Sequence, residues 1–187
     1  MKPIFIIEHL EPKLYPWCLI EYKSISKIIP KEQLWFTNTN SKKLKTLGKT
    51  TKQSVTSLSL QNACILDPEA PQTLSPEEAK QFEYFILGGI LGDHPPRKRT
   101  TPELTQFLPN AKARNIGKEQ LSTDNAVFVT HQILSGIPLS KMKFQQSLEI
   151  PINKIESTIL PYAYPLINGK PRISKELMQF IKKKGSP

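Results

Sequence analysis

Five short apolar runs constrain this chain more than any other feature. Pro3–Ile7, Gln33–Phe36, Ala63–Asp67, Tyr84–Leu87 and Ala113–Gly117 are each four or five residues long. Runs of that length suit buried strands; a helix needs roughly 10 residues or more. Helix signals fall between them. Trp17, Ile20, Ile25, Ile28 and Ile29 line one side of a helix that stops before Pro30. Ser75-Pro76-Glu77-Glu78 supplies a cap, a proline tolerated at the first helical position and a capping-box glutamate, for a helix to about Phe82. Thr101-Pro102-Glu103 starts a second short helix by the same logic. From Thr123, residues Ala126, Val127, Val129, Ile133 and Leu134 recur at helical spacing until Gly136 and Pro138 stop the pattern. Strands alternating with helices predict an α/β layer, a mostly parallel sheet flanked by helices.

The 187 residues suit a single domain, 1–187, able to bury a core without staples. Two regions stand apart. Residues 38–60 are poor in large apolar side chains and rich in Ser, Thr and Lys, and read as a basic surface excursion. Residues 137–187 form a C-terminal extension. In it, Asn168-Gly169 between apolar flanks signals a tight hairpin, and Leu177, Phe180 and Ile181 mark a terminal helix. Lys182, Lys183 and Lys184 sit where that helix's dipole favours cations.

Cys18 and Cys64 are far apart and form no C-x-x-C, so neither a disulfide framework nor a zinc site is expected. The N-terminal apolar run is interrupted by Glu8, and no stretch approaches the roughly 20 apolar residues that span a bilayer. A cytoplasmic protein is expected. The net charge of +10 favours polyanionic surroundings such as RNA or a ribosome surface, or else solubilises the chain.

"ILGGILGDHPPRKRT", Ile86 to Thr100, follows a strand and precedes a helix. It is about twice the usual length of such a connection. Pro95 and Pro96 stiffen it, while Gly88, Gly89 and Gly92 permit close approach of a ligand to the backbone. Ligands of open α/β sheets bind beyond the carboxyl ends of strands, where this loop lies. Phosphate motifs fail: Gly88-Gly89-Ile90-Leu91-Gly92 is not G-x-G-x-x-G, and Gly48-Lys49-Thr50 has Lys43 where a Walker loop needs glycine. A second loop, "NIGKEQLSTDNA" from Asn115 to Ala126, also joins a strand to a helix. Asp124 there complements the positive helix end, which suits a neutral heterocycle or a cationic ligand better than phosphate. His9, His94 and His131 are scattered, no nucleophile elbow is present, and no metal is expected.

Together, "FILGGILGDHPPRKRT" and "ARNIGKEQLSTDNAV" resemble the SPOUT methyltransferase superfamily. The likeness is to the branch that contains the eukaryotic protein-arginine methyltransferase and its archaeal relatives. "IIEHLE" at Ile6–Glu11 and "ESTILPYAYPLINGKP" at Glu156–Pro171 also resemble that branch. The resemblance implies a SPOUT-type fold with a C-terminal trefoil knot and S-adenosyl-L-methionine held by the two loops. Cofactor contacts would then come from Leu87, Gly88, Gly89, Gly92 and Asp93, and from Ile116, Gly117, Gln120, Leu121, Ser122, Thr123 and Ala126. An arginine acceptor is protonated in water and needs a carboxylate to orient it and help remove a proton; Asp93 and Glu8 are the candidates. Arg97 is a candidate to assist at an RNA acceptor, and Arg97, Arg99 and His94 to bind substrate. The resemblance points to a ribosome-associated target, an arginine of a ribosomal protein or else ribosomal or transfer RNA. A catalytically silent RNA- or ribosome-binding protein of the same fold is the alternative. Monomer and homodimer both remain open.

Overall fold

The computed structural model describes residues 2–92, 95, 97–153 and 155–184. Its centre is a six-stranded parallel sheet made of β1 (Ile4–His9), β2 (Leu34–Thr37), β3 (Lys49–Thr50), β4 (Ala63–Leu66), β5 (Tyr84–Gly89) and β6 (Lys112–Arg114). The strand order is β3-β2-β1-β5-β4-β6. Both faces are covered, which explains why the strands read as continuous apolar runs. Phe5 and Ile7, Cys64 and Leu66, and Phe85 and Leu87 point into one core. Ile6, Ala63, Ile65 and Ile86 point into the other, against Val55 and Leu104. A side-chain period of two divides each strand between the two cores.

Helices α1 (Pro16–Ile25) and α4 (Thr123–Leu134) cover the first face; α2 (Pro76–Ala79) and α3 (Thr100–Glu103) are single turns. Ser75 caps α2, its hydroxyl oxygen accepting the Glu78 N–H at 3.2 Å. Helix α1 ends at Ile25, short of the expected Ile29; Ile29 still packs in the core from a turn. Pro30 disfavours helical geometry at the residue before it, so the chain leaves the helix early.

Residues 38–60 are more firmly held than a surface excursion implies. Leu44 and Val55 are fully buried. The segment adds β3 to the sheet, pairing Trp35 with Lys49 and Phe36 with Thr50. Its lysines do face outward, and Lys49 lies 3.9 Å from the centroid of the Trp35 ring. The glycine at position 48 serves packing, since a Cβ there would lie 2.2 Å from the Leu34 carbonyl oxygen.

The C-terminal part is a three-stranded antiparallel sheet, β7 (Phe144–Pro151), β8 (Ser157–Ile167) and β9 (Lys170–Pro171), followed by α5 (Lys175–Lys184). Asn168 and Gly169 have φ of 51° and 76°, the left-handed pair that a tight hairpin turn requires. Pro151, Pro161 and Pro165 hide β7 and β8 in the sequence, because proline normally argues against a strand. Ile150, Leu160, Tyr164, Leu177 and Ile181 build a separate core with Trp17 and Ile20 of α1. Helix α1 is therefore apolar on two sides, one facing the parallel sheet and one facing the C-terminal sheet.

Gly89, which the sequence placed among the ligand-contacting glycines, takes part in this packing and does not line the cavity beyond the strands. A Cβ at Gly89 would lie 2.2 Å from the Tyr22 hydroxyl and 3.1 Å from the Glu8 carbonyl oxygen. Tyr22 is itself buried and bonded to His9 Nδ1 at 2.9 Å, so it cannot yield cheaply. Gly89→Ala should cost about 1–3 kcal/mol of stability, the usual range for overpacking. Urea unfolding checks this; wild-type stability would show that Tyr22 has room to move.

Candidate functional site

The parallel strands end level with one another, and a cavity of about 250 Å³ opens beyond their carboxyl ends. Its walls come from the connections after β4, β5 and β6 and from the first turn of α4. Leu66, Leu87, Ile116, Leu121 and Ala126 make an apolar floor. Gly88, Gly92 and Gly117 bring bare backbone to the wall. Gly117 has φ of 111°, a conformation that favours glycine. Strand β6 ends earlier, at Arg114, and is shorter than the run Ala113–Gly117 suggested. Charged groups also line it: Asp67 and Glu69 after β4, Arg97, Lys98 and Arg99 ahead of α3, and Lys118 and Glu119 after β6.

Eleven of the residues singled out from the sequence line this cavity: Leu87, Gly88, Gly92, Arg97, Arg99, Ile116, Gly117, Gln120, Leu121, Thr123 and Ala126. Asp93 and His94 lie outside the described residues. Besides Gly89, two singled-out residues do not reach the cavity. The Ser122 hydroxyl turns to Asp124, donating to Oδ1 at 2.8 Å. Glu8 is 1% exposed, and its Oε2 accepts the Val55 N–H at 2.9 Å. The Glu8 carboxylate therefore pins the 38–60 segment to β1. It faces away from the site because neighbours along a strand point to opposite faces of the sheet, and a sequence run does not reveal which side carries the cavity.

Carboxylates that the sequence did not single out stand nearer. Asp67 is buried and accepts the hydroxyls of Thr101 and Thr105, each at 2.7 Å, so it anchors α3 to the loop after β4. Glu69 pairs with Lys98 at 3.0 Å. Glu11 Oε1 accepts the Leu91 N–H at 2.9 Å and pairs with Arg99 at 2.8 Å. Arg99 also grips Glu103 through two bonds of 2.7 and 3.0 Å. These contacts hold the guanidinium firmly in its charged form. They also tether both ends of the long loop, at Leu91 and at Arg99, to one glutamate of the β1–α1 connection.

Behind the cavity lies a buried polar network. The first turn of α4 presents Thr123 to the cavity, while its backbone N–H donates to Glu21 Oε2 at 3.2 Å. Trp17 Nε1 donates to Glu21 Oε1 at 2.8 Å. Asp124 lies in the first turn of α4, where it complements the positive helix end as the sequence suggested, and it faces Arg172 of the C-terminal extension at 2.8 Å. Arg172 also donates to Asn125 Oδ1 at 2.8 Å and Ser24 Oγ at 3.0 Å, and its guanidinium lies 5.0 Å from the Phe128 ring centroid. Nothing local announced Glu21 or Arg172, whose partners are as much as 148 residues distant in sequence.

Comparison with known proteins identifies the family. The family model for SFM1-like protein arginine N-methyltransferases matches residues 4–186. The chain belongs to that family. It is 36% identical, over 201 aligned residues, to protein arginine N-methyltransferase SFM1 of Saccharomyces cerevisiae, spanning 96% of this chain and 94% of the yeast protein. The crystal structure of yeast SFM1 complexed with SAM superimposes with a TM-score of 0.88 at 32% identity, covering 98% of this chain and 91% of that one. Dual specific Trm10 from Thermococcus kodakaraensis shares the fold, with a TM-score of 0.60 at 18% identity over 75% of this chain and 96% of its own. In this SFM1-like chain, the described residues contain no helix long and apolar enough to cross a membrane.

Burial, with the Asp124 charge nearby, raises the Glu21 carboxyl from its ordinary 4.5 to about 8, although two N–H donors favour its ionised form. The folded protein thus keeps a proton that the unfolded chain has lost. The stability this confers is complete below about pH 4.5 and is lost as pH rises toward 8. Relative to Glu21→Gln, the wild type should lose on the order of a few kcal/mol between pH 5 and pH 8. Urea unfolding of both proteins at the two pH values measures this, and parallel pH dependences would refute it.

Proposed function

We propose that this chain transfers a methyl group from S-adenosyl-L-methionine to an arginine side chain of a ribosome-associated protein. The observation that carries this reading is the family match, which runs through both loops of the cavity. The cavity's own chemistry fits the cofactor. Backbone at Gly88, Gly92 and Gly117 can read the edge of a heterocycle, and the apolar floor can take its face. The mixed polar rim suits an amino-acid end. Two of these glycines also serve packing around the wall, since a Cβ at Gly88 would meet Ile90 at 2.9 Å and one at Gly92 would crowd the Tyr162 ring.

When bound, the cofactor supplies a methyl group already activated by its sulfonium. The protein's task is then to orient the reactants and to handle one proton. Leu87, Ile116, Leu121 and Ala126 exclude water from the floor. The acceptor guanidinium is protonated in solution, with pKa above about 12, so a carboxylate must orient it and receive its proton. Asp93 is the proposed group, since Gly92 and Arg97 on either side of it in sequence both line the cavity. The net charge of +10 suits a target set among RNA phosphates, with Arg97 at the rim of the cavity. The trefoil knot of the superfamily forms part of this reading.

Isothermal titration with S-adenosylmethionine and its demethylated product should show binding to the purified protein. Incubation of ribosomes with methyl-labelled cofactor should place label in the protein fraction, on arginine, and Asp93→Asn should lower that transfer at least tenfold at saturating cofactor. Label in RNA alone would overturn the arginine reading, and full activity of the Asn variant would overturn the role of Asp93.

A further inference from the structure

The C-terminal sheet touches both cofactor loops, and it does so with adjacent residues of one strand. The Tyr162 hydroxyl donates to the Gly92 carbonyl at 3.1 Å. The Ala163 N–H donates to the Gln120 carbonyl at 2.9 Å. Gly92 and Gln120 each line the cavity, one in the loop after β5 and the other in the loop after β6. All three side-chain positions meet closely. A Cβ at Gly92 would fall 2.4 Å from Tyr162 Cε1 and 3.0 Å from Gln120 Nε2.

Strand β8 is well rooted for such a task. Leu160, Tyr162 and Tyr164 alternate along it, so they share a face. Leu160 and Tyr164 are buried against Trp17, Leu177 and Ile181, and the Tyr162 ring packs at the margin of the same core. Leu91, which lines the cavity, also packs there. The Tyr162 ring is thus fixed by apolar contact while its hydroxyl reaches over to the first loop. Ala163, on the opposite face, is buried too, and its amide reaches the second loop.

We infer that Tyr162 is a positioning residue for the methyl-transfer reaction: with Ala163 it latches the loops after β5 and β6 to strand β8 and so sets the spacing of the cavity walls. The inference rests on the proposed function for its link to the cofactor but not for the latch itself. Two loops that converge on one ligand from separate strands need a common reference, and β8 supplies it. The glycine at 92 acquires a second reason as well. It leaves room for the Tyr162 ring against the backbone.

Tyr162→Phe keeps the ring and removes only the hydroxyl. Hydrogen exchange of peptides covering 90–100 and 115–122 should accelerate in this variant, while peptides from β1 and α1 exchange as in the wild type. The dissociation constant for S-adenosylmethionine should rise about two- to tenfold, the range for one neutral hydrogen bond, with KM for the cofactor rising in parallel and kcat preserved. Gly92→Ala, which displaces the ring, should accelerate the same two peptides, and adding Tyr162→Phe to it should change little further. Unchanged exchange in both peptides of the Phe variant would overturn the latch. So would accelerated exchange with wild-type cofactor affinity, because the loops' spacing would then not matter to the ligand. Failure of the wild type itself to bind cofactor would overturn the proposed function and the link to it, while the exchange result would still decide the latch.

Discussion

The parallel pairing of β1 with β5 is the constraint on which the rest of the molecule depends. Six residues align in register, from Ile4 opposite Tyr84 to His9 opposite Gly89. That register brings the ends of the two central strands level. It also puts Gly89 over Tyr22, where only a glycine fits, so α1 can lie close to the sheet. From that level edge the chain has nowhere to go but outward, and the loop beginning at Ile90 becomes one wall of the cavity. The neighbouring strands β4 and β6 end at the same edge, and their connections supply the other walls.

Helix α1 transmits this order to the C-terminal extension. One side of it packs Cys18, Tyr22 and Ile25 on the sheet, and another packs Trp17 and Ile20 against the antiparallel sheet. Between these apolar sides, Glu21 and Ser24 meet the first turn of α4 and Arg172. A buried carboxylate is costly, and here the cost is met by two N–H donors and by proton retention. The same network leaves Thr123 and Ala126 facing the cavity. The two cysteines play no such part. Both are buried and free, and burial pushes their thiols up to about 12, which leaves them as inert packing groups.

The cavity is thus held from three directions. Glu11 ties the start of the β5 loop to Arg99 near its end. Asp67 ties α3 to the loop after β4. Strand β8 touches the loops after β5 and β6 at Gly92 and Gln120. Walls fixed independently of any ligand need less ordering when one binds.

Local physics was legible in the sequence. The five strands, the Ser75 cap, the helix from Thr123 and the Asn168-Gly169 turn each depend on residues within a few positions of one another. The two loops were legible too, because glycine after a strand lets the backbone turn and be approached closely, and the prolines of the first loop fix φ. What only the tertiary structure decided was the direction in which side chains point and the partners they find across the fold. Gly88 and Gly89 are neighbours in sequence, yet one lines the cavity and the other lies under Tyr22 of α1, a difference set by which element packs over each. Glu8 and Glu11 are three residues apart, yet the first pins Val55 and the second holds Arg99. Glu21 and Thr123, Arg172 and Asp124, and Tyr162 and Gly92 come together across 102, 48 and 70 residues of chain. Such pairings are set by how strands and helices stack, and no short stretch of sequence contains them.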